Sequence, residues 1–69
     1  MNIKTGDVIR AHNHINATAL LEVVAVKPLS FKACLIDWVD RKDRYGHRVG
    51  LGIVCSYDYS EIINIVERR

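Results

Sequence analysis

The sequence predicts an all-β domain of five short, mostly antiparallel strands, and three observations carry that expectation. Gly, Pro, Asn, Asp and Ser gather at residues 5–7, 12–16, 27–28, 40–46 and 56–60, and the runs between them are rich in valine and isoleucine. Val49, Leu51, Ile53 and Cys55 alternate with Gly50, Gly52 and Val54, a clear period of two. No linker, repeat or low-complexity stretch interrupts the 69 residues, so residues 1–69 form a single domain.

The first strand, residues 7–11, follows a Gly-Asp turn. The second, residues 18–27, reads TALLEVVAVK and stops where Pro28 removes a ladder donor. Helix is its rival over 17–27, because Asn16 or Thr18 can cap one and Ala, Leu and Glu favour one. Three valines within four residues tip the choice to strand. Residues 31–39 form the third strand, the alternating stretch 49–55 the fourth and EIINIVE, residues 61–67, the last.

The third and fourth runs flank RKDRYGHR, residues 41–48, and form a hairpin. With the turn centred between Arg44 and Tyr45, Trp38 faces Leu51, Ile36 faces Ile53 and Cys34 faces Cys55. That register makes one hairpin face wholly apolar, and Gly46 supplies a positive φ near the tip. The opposite face carries Ala33, Leu35, Val39 and Val54. In the second run, Leu20, Val24 and Val26 lie on one side and Ala19, Leu21, Val23 and Ala25 on the other. Strands apolar on both sides call for cover from outside the chain, and a homo-oligomer, most simply a dimer, or a protein partner is the expected supplier. A lone core of this size yields only about 3–5 kcal/mol, which a second subunit would reinforce.

Apolar residues make up 49% of the chain and charged residues 26%, the composition of a folded globular domain. No run approaches the roughly 18 apolar residues of a membrane span, and the first residues lack the apolar core of a secretory signal. The expected location is the cytoplasm. Cys34 and Cys55 are then expected to be reduced thiols, and the Asn16-Ala17-Thr18 acceptor pattern goes unused. The formal charge of +2 has an address: Arg41, Lys42, Arg44 and Arg48 outweigh Asp40 and Asp43, while the remaining chain balances.

Ser56-Tyr57-Asp58-Tyr59-Ser60 before EIINIVE resembles the 3₁₀ turn that precedes the final strand in SH3-like small barrels. Together with the strand count and the Gly-Asp opening, it makes the chain similar to that fold: a five-stranded SH3-like barrel. Tyr57-Asp58-Tyr59 is similar to the acidic-aromatic motif of peptide-binding SH3 domains, but stands at the wrong end of the chain to imply proline-rich ligands. The KOW-type barrels of transcription and ribosome proteins share the layout without their glycine spacing appearing here. The resemblance implies a module that binds RNA, DNA or protein segments rather than an enzyme.

The residues themselves point the same way. Cys34, Cys55, Ser30 and Ser56 are nucleophile types without an activating context, and GLG lacks the loop and helix of a phosphate cradle. His12-Asn13-His14 places two imidazoles about 6–7 Å apart on one strand face, which Cys34 and Cys55 would have to complete as a metal set. No zinc-finger spacing supports that, so neither metal nor cofactor is expected. The loop is the candidate site. Arg41, Lys42, Arg44, His47 and Arg48 suit phosphates and Tyr45 suits stacking on an unpaired base. The alternative is a protein-interaction module, a small inhibitor or adaptor, using an apolar sheet face.

Overall fold

A computed structural model describes residues 2–13, 17–39 and 50–69. The chain forms five strands, β1 (Val8–His12), β2 (Thr18–Val26), β3 (Ser30–Trp38), β4 (Val54–Asp58) and β5 (Ile62–Glu67), with a 3₁₀ turn at Tyr59–Glu61. All pairings are antiparallel, in the order β4-β3-β2-β1-β5. The second run is a strand, not a helix: Thr18–Glu22 pair with β1, and the run from Ala19 to Val26 pairs with β3.

Three expectations are corrected. The stretch 49–55 is not a strand along its length, because Gly50 and Gly52 have φ of 74° and 89° and form a turn before β4 begins at Val54. The GLG alternation is therefore turn chemistry that imitates a period of two. The β3–β4 register also differs by one residue: Ala33 pairs with Cys55 and Cys34 with Val54. Cys34 thus faces outward and Cys55 packs against the core, so the two thiols lie on opposite faces. Finally, the sheet is not closed into a barrel, since β4 and β5 are its two edges.

The register has a packing cause. Phe31 and Trp38 are seven residues apart, so a regular strand would put them on opposite faces. Both are buried, at 0% and 5% exposure, because the β2–β3 register shifts between Leu20 and Leu21, leaving Ile36 as the extra, outward residue. Before the bulge Phe31, Ala33 and Leu35 point inward; after it Trp38 does. A second shift, between Val23 and Ala25, leaves Val24 outside on β2.

The inner face then packs in rows. Ile65, Ile9, Leu21 and Leu35 lie side by side across four strands, and Ile62, Ala11, Ala19 and Trp38 form the next row. Small alanines leave room beside the indole. Phe31 stacks on Tyr57 with ring centroids 5.8 Å apart and meets Tyr59 at 5.4 Å. These contacts hold the 3₁₀ turn against the open end of the sheet. Glu61 accepts the Asp58 backbone N–H at 2.9 Å, one half of a capping box that sets the turn.

Candidate functional site

Arg41, Lys42, Arg44, Tyr45, His47 and Arg48, the sequence-predicted nucleic-acid contacts, lie outside the described residues, as does Gly46. What is described is the platform from which their segment springs. On one side, Val39 N–H donates to the Thr18 carbonyl at 3.0 Å, extending the β2–β3 ladder past Trp38. On the other, Gly52 N–H donates to Leu35 O at 2.7 Å and Leu35 N–H to Ile53 O at 2.9 Å. Val39 and Gly52, on either side of residues 40–49 in sequence, are therefore both anchored to the sheet.

β1 carries further polar side chains. His12 is exposed and pairs across the ladder with Thr18. Two residues earlier, Arg10 lies between Leu20 on β2 and Asn64 on β5, all three on the outer face. Its guanidinium Nε is buried with no hydrogen-bond partner. Sequence reasoning passed over Arg10 and Asn64. The available signal was a lone arginine inside an apolar strand, Val8, Ile9 and Ala11 being its neighbours.

The carboxylates elsewhere are engaged. Asp7 is fully buried and accepts the N–H of Lys4 at 3.0 Å and of Arg69 at 3.1 Å. The Arg69 N–H holds its pKa below the usual 3.8, helped by the Lys4 N–H and the charges of Arg68 and Lys4, against the opposing effect of burial. Glu22 and Glu67 both bind the Arg69 guanidinium, at 3.1 and 3.3 Å. Asp37 accepts the Trp38 N–H at 2.8 Å.

Two other features bear on chemistry. Burial raises the Tyr57 pKa above 10.0, with the Cys55 thiol and Glu61 acting in the same sense and a hydrogen bond with Asn13 opposing. A shallow cleft of about 410 Å³ opens between Asn2, Ile3, Val26, Lys27, Pro28 and Tyr59. The Tyr59 hydroxyl is committed there to the Lys27 carbonyl at 2.5 Å. Among the described residues no three His, Cys, Asp or Glu side chains converge on a metal-sized space, and Cys34 and Cys55 cannot jointly complete a set with His12.

In comparisons with known proteins, no family model, no curated protein and no solved structure matches the chain.

Proposed function

We propose that this protein is a non-enzymatic, cytoplasmic binding module of the SH3-like kind that contacts nucleic acid through residues 41–48. The pairing of the first strand with the last, and the 3₁₀ turn before β5, support the small-barrel resemblance. One observation carries the functional reading. The charge excess of the chain falls on the segment 40–48, which follows Val39 in sequence, while Asp7, Glu22 and Glu67 are engaged by Lys4 and Arg69 near the start of β1. Phosphates are drawn to a segment in which Arg41, Lys42, Arg44 and Arg48 outnumber Asp40 and Asp43.

Replacing Arg41, Lys42, Arg44 and Arg48 together with serine tests this. Folding stays nearly intact, since exposed charges contribute little to stability. Retardation of single- and double-stranded probes falls sharply, and the slope of log affinity against log salt shrinks with each lost contact. Tyr45→Ala weakens single-stranded probes selectively, because stacking needs an unpaired base. A wild-type protein that retards no probe at low salt ends the reading.

The second reading, protein binding, draws on a different observation. Val24, Ile36 and Val54 are 39%, 41% and 51% exposed on the outer side of β2, β3 and β4, and among the described residues β4 is an edge of the sheet. A second copy of the chain is the proposed cover for this face.

A further inference from the structure

We propose that the outer faces of two copies pack antiparallel about a two-fold axis passing close to Cys34 and Ile36, so that Lys32 of each copy meets Asp37 of the other. The inference rests on the second reading, a second copy over the outer face, and gives that contact an axis and a polar rim.

β3 sends Lys32, Cys34, Ile36 and Asp37 to the outer side. Lys32 is exposed, Cys34 lies half-buried between Glu22 on β2 and Val54 on β4, and Ile36 is the exposed bulge residue. Asp37 follows it opposite Leu20. A sheet face built for water carries polar side chains at most of its outward positions. Here the polar residues stand at the two ends and the apolar ones between them. β3 also has β2 and β4 on either side, so Val24 and Val54 widen the apolar centre. An apolar centre with a polar rim is the anatomy of a protein interface.

The charge order selects the occupant. In a two-fold contact residue i of one copy meets residue j of the other, and j meets i. The outward series of β3 runs from a cation through a thiol and an aliphatic side chain to an anion. Laid antiparallel on a second copy, it sets Lys32 against Asp37 twice and Cys34 against Ile36 twice. Laid parallel, it sets like charges together. A foreign partner requires no such antisymmetry about the centre of the patch. Lys32 makes no ion pair among the described residues, and Glu22, the other acid beside the patch, is bound by Arg69. Asp37 accepts the Trp38 N–H through one oxygen, and a carboxylate has room for further donors. Two sheets stacked in this way lie about 10 Å apart with their strands within about 30° of each other.

Sedimentation equilibrium across a concentration series measures the dimer constant. Lys32→Glu and Asp37→Lys each bring like charges together at two symmetry-related contacts and are expected to raise it roughly tenfold. The double swap is expected to return it to within about threefold of wild type. A double variant as weak as the single ones overturns the Lys32–Asp37 pairing. The second measurement needs no substitution, so it decides the point even where Asp37→Lys loses the Trp38 hydrogen bond and fails to fold. A bifunctional thiol reagent spanning about 10 Å should join wild-type copies through Cys34, with Cys55 absent from the linked peptides. A wild-type dimer that the reagent does not join through Cys34 overturns the axis and leaves the second reading standing. A wild-type monomer at tens of micromolar overturns both.

Discussion

The carboxylate of Asp7 accepts the backbone N–H of Arg69 at 3.1 Å, joining residues 62 apart in sequence. The other oxygen takes the Lys4 N–H, and the Asp7 N–H returns to the Lys4 carbonyl at 3.0 Å. One buried side chain thus ties the turn before β1 to the end of the chain after β5.

Acid stability follows from that arrangement. Asp7 titrates below its ordinary value in the folded state, so its contribution is complete above about pH 4 and disappears as pH falls through the depressed value. Tyr57 works in the opposite direction: its pKa is raised, so its contribution is complete below pH 10.0 and is lost as pH rises through the higher folded value. Urea midpoints should form a plateau between these limits. Asp7→Asn should flatten the acid limb, and Asp7→Ala should lower Tm by roughly 5–10 °C through two orphaned N–H groups. An acid limb unchanged in Asp7→Asn would remove Asp7 from this role.

The cysteines report on the register. Because Cys34 faces outward and Cys55 inward, mild oxidation should yield no intrachain disulfide. Non-reducing mass spectrometry of proteolytic peptides reads this directly. A Cys34–Cys55 link would restore the register in which those two residues face each other.

Glycine substitution distinguishes turn from strand at GLG. In a strand, Gly52→Val would stabilise through β propensity. At φ 89° it should destabilise by about 1–2 kcal/mol, although the Cβ itself meets nothing within 4 Å. Gly50→Ala, at φ 74°, should cost about 1 kcal/mol. Chemical denaturation gives both values, and a stabilised Gly52→Val would refute the turn.

Self-association is tested on the outer face. Ile36→Lys changes an exposed bulge residue, so monomer stability should move by no more than about 0.5 kcal/mol. Light scattering should show a wild-type dimer that this change dissociates. A wild-type monomer at tens of micromolar would count against a second copy and leave the face to a foreign partner.

What the sequence by itself determined is the number and kind of elements. Turn-forming residues bracket valine- and isoleucine-rich runs, and these local signals survive folding: β1, β2, β3 and β5 fall within about a residue or two of expectation, and the 3₁₀ turn precedes β5. The basic segment was legible too, as composition alone. Tertiary structure decided which face each residue takes. A strict period of two anchored on Trp38 puts Cys34 and Ile36 inside, yet Phe31 must also be buried, and two large aromatics an odd number apart can share a face only through a bulge. The turn at GLG could not be told from a strand because φ is invisible in a pattern of side chains. The setting of Arg10 was hidden for the same reason: only the pairing of β1 between β2 and β5 shows that its Nε is buried without a hydrogen-bond partner. Local sequence sets the elements because propensity and turn chemistry act over a few residues. Register and enclosure arise from long-range packing, where single bulges reverse every side chain beyond them.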